Sequence, residues 1–272
     1  NRFAPGYNDA GWAAKNIPSV ENTLNGLDQR PEDYENGVWY RRAFTLADSL
    51  RSRFARLNFY AVNYVADVWL NGHYLGYHEG GYTPFSFDVT SAVRFDSANV
   101  LAIRVDNPAW GSRNDIVPYG TVNHKPDWFN FTGIIHDVYL EFSNPISIVR
   151  AEAIPTSLSG TVEATVTLWN KSGSSRSAQL NIEVFEARVD STTIQTEFAA
   201  DLLGSSVGSQ TLTGLTIPSD SALASRLTLS VPSPKLWSPK HPNLYILRAT
   251  LVVGGQAVDQ VVRVRHRLAV YS

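Results

Sequence analysis

The stretch VADVWLNGHYLGYHE, residues 65–79, decides the fold class because it predicts an antiparallel β-hairpin. Asn71-Gly72 separates two runs of strand-forming residues, and both residues tolerate the positive φ angles that a two-residue turn requires. Helical periodicity is scarce elsewhere in the chain, and period-two alternation predicts further strands. These strands span residues 38–45, 53–62, 99–106 and 137–142. The sequence therefore predicts an all-β protein.

The amino-acid composition changes near residue 145. Beyond it aromatic residues are fewer, and Ala, Thr, Ser and Val are more frequent. Beyond this point the alternation predicts strands at 148–153, 161–169, 178–185, 209–215, 224–231, 244–253 and 256–264. About seven short strands over roughly 125 residues are what an immunoglobulin-like β-sandwich requires. We therefore predict two domains, a jelly-roll β-sandwich at 1–145 and an immunoglobulin-like β-sandwich at 146–272.

Composition excludes several classes of function. The formal charge is −2, and no basic run is present, so we predict no nucleic-acid partner. No apolar run approaches the ~20 residues of a membrane-spanning helix, so no membrane partner is predicted. The chain has no cysteine, which excludes disulfides and thiolate–zinc sites. The six histidines are scattered without metal-ligand spacing, and we predict neither a metal nor a cofactor.

Several segments of the first domain resemble the sugar-binding domain of the family 2 glycoside hydrolases, which include β-galactosidases, β-glucuronidases and β-mannosidases. They are GVWYRRAFTL (37–46), the run at 55–90, NVLAIRVDNP (99–108) and DWFNFTGIIHDVYL (127–140). LWSPKHPNLY (236–245) and VVRVRHRLAV (261–270) in the second domain are similar to the immunoglobulin-like module of the same family. HEGGYTPFSFDVT (78–90) and WFNFTGIIHDVYL (128–140) come closest to the β-glucuronidase and β-galactosidase branches.

The resemblance implies a galactose-binding-like jelly roll, and it implies a third domain that is not in this sequence. In the family, a (β/α)8 barrel follows these two domains and carries both catalytic glutamates. The chain has no Asn-Glu pair of the kind expected for the acid/base, so we predict no catalytic residue in it. Since the chain begins at Asn1 and has no methionine, we expect a processed or truncated product.

The resemblance therefore predicts the non-catalytic amino-terminal portion of a retaining β-glycosidase of the β-galactosidase or β-glucuronidase type. Its partners would be a β-galactoside or β-glucuronide together with the catalytic barrel, and a homo-oligomer is possible because family members often assemble through these domains. Two alternatives stay open at this point: a free-standing carbohydrate-binding module without hydrolase activity, and a purely structural or assembly module. The compartment also stays open.

The candidate substrate-binding residues fall in the longest irregular segment, 107–130, since a loop of this length in a compact domain is usually functional. Asp127 matches a family aspartate that reaches toward the sugar site and would accept hydrogen bonds from substrate hydroxyls. The alternative is that Asp127 caps the turn into the next strand. Trp128 either packs at the base of the domain or stacks on sugar, and Asn130 and His124 are weaker companions.

Two further segments carry predictions about scaffolding. At 78–90 we expect Gly80-Gly81 to form a corner that supports the scaffold, with Tyr82 and Phe85 entering the sandwich and Pro84 at a strand start. A substrate-facing role for this corner is the alternative. Segment 1–36 lacks a regular pattern and is expected to drape over the sandwich, with Trp12 as a buried anchor.

Overall fold

The structure is a computed structural model that describes residues 1–22, 37–107, 131–193, 195–196 and 198–266. The chain divides into two compact units, Asn1–Phe142 and Ser143–Ser272. In the described residues the helical segments are two short 3-10 turns, Asp48–Leu50 and Ala199–Leu202, and no helix there is long and apolar enough to cross a membrane. The predicted all-β class is confirmed.

The first unit is a sandwich of antiparallel strands. Its strands are β1 Val38–Phe44, β2 Phe54–Phe59, β3 Val62–Asn63, β4 Val65–Leu70, β5 His73–Glu79, β6 Phe85–Asp88, β7 Asn99–Asp106, β8 Gly133–Ile134 and β9 Val138–Ser143. One sheet has the order β1-β7-β4-β5, a second has the order β6-β2-β9, and β3 pairs with β8. The two larger sheets enclose an aromatic and aliphatic core in which Phe59 stacks on Phe85 at a centroid distance of 4.6 Å.

The hairpin predicted from Asn71-Gly72 is present. Leu70 pairs with His73, and the two turn residues have φ angles of 55° and 82°. Asn71 also ties the turn to the segment before β7, because its amide donates to the Ala92 carbonyl at 2.8 Å and to Asn99 Oδ1 at 2.9 Å. Its side-chain oxygen accepts the Val100 N–H at 2.9 Å. Asn71 therefore supplies both the backbone conformation of the turn and three part-buried hydrogen bonds.

The described part of the amino-terminal segment, residues 1–22, lies across the outer face of the β1-β7-β4-β5 sheet. Phe3 stacks on Trp69 at 5.2 Å, and Trp69 stacks on Trp39 at 5.3 Å. The Arg41 side chain, only 3% exposed, binds Asp9 at 2.8 Å. Trp12 is half-buried, so the expectation of a buried Trp12 anchor is wrong. Two contacts anchor the segment instead: Phe3 stacks on Trp69 of β4, and Arg41 of β1 binds Asp9 and the Arg2 carbonyl.

The described residues of the second unit form a sandwich of seven strands. They are β10 Ile146–Pro155, β11 Thr161–Asn170, β12 Arg176–Ala187, β13 Leu203–Ile217, β14 Ser221–Ser230, β15 Tyr245–Val253 and β16 Gln256–His266. Their order is β10-β11-β14 in one sheet and β13-β12-β15-β16 in the other. Inward-facing side chains such as Leu168, Ile182 and Leu251 are fully buried between the sheets. This three-plus-four arrangement agrees with the predicted immunoglobulin-like sandwich.

Replacing Asn71 tests the hairpin. We expect Asn71→Ala to lower the free energy of unfolding of the first unit by about 2–4 kcal/mol, since it removes three hydrogen bonds and adds strain at a positive φ. Asn71→Gly, which keeps the turn conformation, should lower it by about 1 kcal/mol less. Urea unfolding followed by tryptophan fluorescence measures both changes.

The control is Asp220→Gly in the turn before β14, where Asp220 has a φ of 51° and a solvent-exposed side chain. This variant should change stability by less than about 0.5 kcal/mol. If Asn71→Gly were as neutral as Asp220→Gly, the hydrogen bonds of Asn71 would not be stabilising the hairpin.

Candidate functional site

The four predicted substrate-binding residues His124, Asp127, Trp128 and Asn130 lie outside the described residues. Their roles stay predictions. The structure does describe both ends of the segment that carries them, Asn107 at one end and Phe131 at the other. The described part of the candidate site therefore consists of the residues that hold these two ends.

A buried hydrogen bond joins the two ends directly. Asn107 and Thr132 are 2% and 0% exposed, and the Asn107 amide donates to Thr132 Oγ1 at 2.8 Å. The Thr132 N–H donates in turn to Asn22 Oδ1 at 2.7 Å, and the Thr132 carbonyl accepts the Glu21 N–H at 2.8 Å. An unpaired polar group at this depth would cost about 1–3 kcal/mol. The ends of the 108–130 segment and the amino-terminal segment are thus fixed together.

Asp106 extends this network by one residue along β7. Its carboxylate is 2% exposed and faces the Arg104 guanidinium, with Nε 3.0 Å from Oδ2 and Nη2 3.1 Å from Oδ1. Oδ1 also accepts the Gly37 N–H at 2.7 Å. A buried carboxylate is tolerated only when it is paired and hydrogen-bonded in this way. Asp106 therefore fixes Gly37, the residue directly before β1.

Asn63 connects the network to the double-glycine corner. Asn63 is 2% exposed, and its amide donates to the Phe131 carbonyl. A Cβ atom on Gly81 would lie 2.3 Å from Asn63 Oδ1, so only glycine lets the chain pass this side chain. The Gly80 N–H adds a hydrogen bond to the Tyr64 carbonyl at 3.0 Å. Gly80-Gly81 thus supports the residue that holds Phe131, four positions after Asp127.

The side chains of the corner follow the prediction only in part. Phe85 opens β6 directly after Pro84 and stacks on Phe59 and on the His78 ring, 4.2 Å away. Tyr82 is 59% exposed, so the expectation that it enters the sandwich is wrong. Tyr82 precedes β6 and belongs to the turn, where the strand rule of alternating faces does not apply.

Burial shifts the pKa values of three titratable residues near the double-glycine corner, His78, Glu79 and Tyr64. It lowers the pKa of His78, whose ring also contacts Thr83 Oγ1 at 2.8 Å, so His78 is neutral at neutral pH. Burial raises the pKa of Glu79, and the hydrogen bond from Tyr64 opposes that rise. The pKa of Tyr64 is raised by burial and by the Glu79 charge. Tyr64 therefore stays protonated, and its hydroxyl donates a hydrogen bond to the Glu79 carboxylate.

A second polar group lies on the amino-terminal side of the network. The Tyr40 hydroxyl donates to Glu21 Oε1 at 2.6 Å, and Lys15 Nζ lies 2.9 Å from Glu21 Oε2. Burial raises the pKa of Tyr40 and the neighbouring Glu21 raises it further, so Tyr40 stays protonated as a donor. These residues line a cleft of ≈ 360 Å³ together with Trp12 and Trp39.

Neither of two surface clefts, as far as the described residues line them, contains the two carboxylates that glycoside hydrolysis needs. The cleft beside Tyr40 contains one carboxylate, Glu21, and a cleft of ≈ 410 Å³ in the second unit contains one, Glu186. Retaining hydrolysis needs two carboxylates about 5–5.5 Å apart. The described residues also contain no group of three or more His, Asp or Glu side chains that could hold a metal.

Sequence reasoning missed the network residues Asn63, Asp106, Asn107 and Thr132. One signal could have found two of them. The strand NVLAIRVD ends at Asp106, Asn107 follows it at the start of a long loop, and polar residues that become buried are nearly always hydrogen-bonded.

Family models match both units. The family "Glycosyl hydrolases family 2, sugar binding domain" matches residues 6–145, and "Glycosyl hydrolases family 2" matches residues 147–265. The chain belongs to glycosyl hydrolase family 2. This confirms the resemblance drawn from the sequence motifs, and it places the network just described within the sugar-binding domain of the family.

Individual relatives are similar over nearly the whole chain. A beta-glucuronidase of Formosa agariphila is 24% identical over 265 residues, which are 93% of this chain and 26% of the relative. A beta-galactosidase of Thermoanaerobacter pseudethanolicus is 25% identical over 257 residues, 93% of this chain and 31% of the relative. The chain therefore spans less than a third of the length of these two relatives.

Solved structures share the fold. The crystal structure of a Bacteroides uniformis beta-glucuronidase matches with a TM-score of 0.75 at 24% identity, over 97% of this chain and 30% of that one. The crystal structure of a putative beta-galactosidase from Bacteroides fragilis matches with a TM-score of 0.73 at 21% identity, over 93% of this chain and 36% of that one. Both sandwiches thus recur, in this order, in larger proteins.

Replacing Gly81 tests the link between the corner and the network. We expect Gly81→Ala to displace the Asn63 side chain and lower the free energy of unfolding of the first unit by about 2–4 kcal/mol. Chemical denaturation measures the loss, and the Phe131 amide region should lose protection from hydrogen exchange at the same time.

Gly11→Ala is the matched control, because a Cβ atom at Gly11 meets nothing within 4 Å. It should change stability by less than about 0.5 kcal/mol. Equal effects of the two substitutions would contradict the assigned role of Gly81.

Proposed function

We propose that this chain is the non-catalytic amino-terminal portion of a retaining family 2 β-glycosidase that acts on a β-galactoside or β-glucuronide. The observation that carries the proposal is the buried Asn107–Thr132 hydrogen bond, which fixes both ends of the segment containing Asp127. A catalytic (β/α)8 barrel in the whole protein would supply the two carboxylates. The short coverage of the relatives supports this division of labour.

Each domain has its own part in the proposal. The first, residues 1–145, would form one wall of the sugar subsite, and the second, residues 146–272, would act as a rigid spacer that orients the first. The continuous apolar core of the second unit suits a spacer, because a well-packed sandwich resists bending.

Asp127 would bind the substrate rather than react with it. Its carboxylate would accept hydrogen bonds from two sugar hydroxyls and so orient the ring against the barrel's acid and nucleophile. If the sugar lacked one of these hydroxyls, or carried it in the opposite configuration, one carboxylate oxygen would have no hydrogen-bond donor. Binding of the wrong sugar would therefore be weaker. The buried network at Phe131 and Thr132 supports this role by fixing the chain beyond Asp127.

The first test is an activity assay on this chain alone. We expect no hydrolysis of nitrophenyl β-galactoside, β-glucuronide or β-mannoside above the rate of a protein-free blank, since both catalytic carboxylates would be absent. The matching genetic observation is the reading frame beyond Ser272, where about 300 further residues with barrel periodicity are expected. Clear turnover by the chain, or a stop directly after it, would overturn the proposal; the latter would favour a free-standing carbohydrate-binding module.

The second test is the substitution Asp127→Ala in the whole protein. We expect kcat/KM to fall by about 100-fold or more, because a charged hydrogen bond to a substrate hydroxyl is lost while the folding of the domain is retained. Asp48→Ala, at an aspartate whose side chain is 77% exposed and paired with Arg51, is the matched control and should leave kcat/KM unchanged. An unchanged kcat/KM for Asp127→Ala would show that Asp127 caps a turn instead.

A further inference from the structure

The cleft beside Tyr40 has the size and lining of a ligand site. Its volume of ≈ 360 Å³ falls within the range of about 300–1,000 Å³ that small-molecule sites occupy. It is lined by two indole rings, a phenol and three charged side chains, namely Trp12, Trp39, Tyr40, Arg2, Lys15 and Glu21. We propose that this cleft binds an anionic oligosaccharide, a sugar chain that carries carboxylate or sulfate groups.

The aromatic rings of the cleft are held in place before any ligand arrives. Trp39 belongs to the stack that continues through Trp69 to Phe3, with centroid distances of 5.3 Å and 5.2 Å. Trp12 meets Tyr7 edge-on at 5.7 Å. The apolar C–H face of a sugar ring packs well on such rings, and a ring already fixed loses little conformational entropy on binding.

The polar groups suit a sugar chain better than a purely apolar ligand. The Glu21 carboxylate is oriented by Tyr40 at 2.6 Å and by Lys15 at 2.9 Å, and its side chain keeps 21% of its surface exposed. An oriented carboxylate at the edge of an aromatic surface can accept a hydrogen bond from a sugar hydroxyl. This combination of fixed rings and few oriented polar groups is typical of a specific binding cleft.

The charge of the lining favours a negatively charged ligand. The described residues that line the cleft include two cations, Arg2 and Lys15, and one carboxylate, Glu21, which is already paired with Lys15. Arg2 then provides the net positive charge, and a guanidinium binds a carboxylate or sulfate group through two parallel hydrogen bonds. A neutral sugar chain would use the rings but would leave this guanidinium without a matching anion.

The cleft also adjoins the network that fixes the 108–130 segment. Glu21, which lines the cleft, donates its backbone N–H to the Thr132 carbonyl at 2.8 Å. Val38, the first residue of β1, also lines the cleft. The residue before it, Gly37, donates its backbone N–H to the Asp106 carboxylate. A bound oligosaccharide would therefore lie on the same end of the first unit as Asn107 and Phe131. The inference goes beyond the proposed function and does not depend on hydrolysis.

Titration calorimetry on this chain tests the proposal with three tetrasaccharides of equal length: a neutral β-linked glucan, the same glucan carrying sulfate esters, and a chain of glucuronic acid. At least one anionic chain should bind at least about tenfold more tightly than the neutral one, and added salt should weaken that binding. The tighter of the two anionic chains identifies whether carboxylate or sulfate is the preferred group.

Variants locate the binding. Arg2→Ala should weaken binding of the anionic chain by about tenfold and leave the neutral chain little changed, whereas Trp12→Ala should weaken both. Arg2→Ala keeps the backbone carbonyl that accepts the Arg41 guanidinium, so its fold is retained and can be checked by thermal unfolding. The controls Arg42→Ala and Tyr77→Ala, at an exposed cation and at a ring that is 64% exposed, should bind like the unmodified chain.

Three results would overturn the inference. They are no binding of any of the three chains, binding of the neutral chain as tight as that of the anionic ones, and unchanged affinity in both Arg2→Ala and Trp12→Ala. None of these results bears on the activity assays above, so a failure here is distinguishable from a failure of the proposed function.

Discussion

The buried hydrogen bond between Asn107 and Thr132 is the constraint that joins the two ends of the 108–130 segment. Both side chains are almost completely enclosed, and each would be costly to bury alone. The bond therefore forms only when the chain leaving β7 and the chain returning toward β8 meet. Asn22 and Glu21 complete it from the amino-terminal segment, so three remote parts of the sequence stabilise one point.

This dependence explains why the amino-terminal segment is part of the domain and not a loose extension. Phe3 and Arg41 fix residues 1–22 on the outer face of the sheet, and the far end of the segment then reaches the Asn107–Thr132 bond. The same arrangement opens the aromatic cleft between the segment and β1. The packing of residues 1–22 on the sheet thus both holds the ends of the 108–130 segment and forms the cleft that we propose as a glycan site.

The two units illustrate different uses of a β-sandwich. In the second unit the inward-facing positions form one continuous apolar core between the two sheets. In the first unit a buried carboxylate, Asp106, and buried amides such as Asn63 interrupt the apolar pattern at one end. Buried polar groups stabilise a fold less than apolar ones of the same size, but they specify one arrangement of the chain, which a binding site requires.

The sequence by itself determined the fold class and the family. Alternation of period two identified the strands, because in a half-buried strand the burial of every second side chain is a local property of the sequence. Asn71-Gly72 identified the hairpin for a similar reason, since the required φ angles are set within two residues. The motifs at 78–90, 236–245 and 261–270 carried the family resemblance in the same local way.

Only the tertiary structure decided which polar residues meet. Asn63, Asn107 and Thr132 are far apart in sequence, and nothing local to each of them shows that their side chains share one buried site. The same holds for Trp12 and Tyr82, whose exposure depends on where the chain turns relative to the sheet and not on their aromatic character. Long-range contacts of this kind are a property of the packed chain, because burial is defined by what arrives from elsewhere in the sequence.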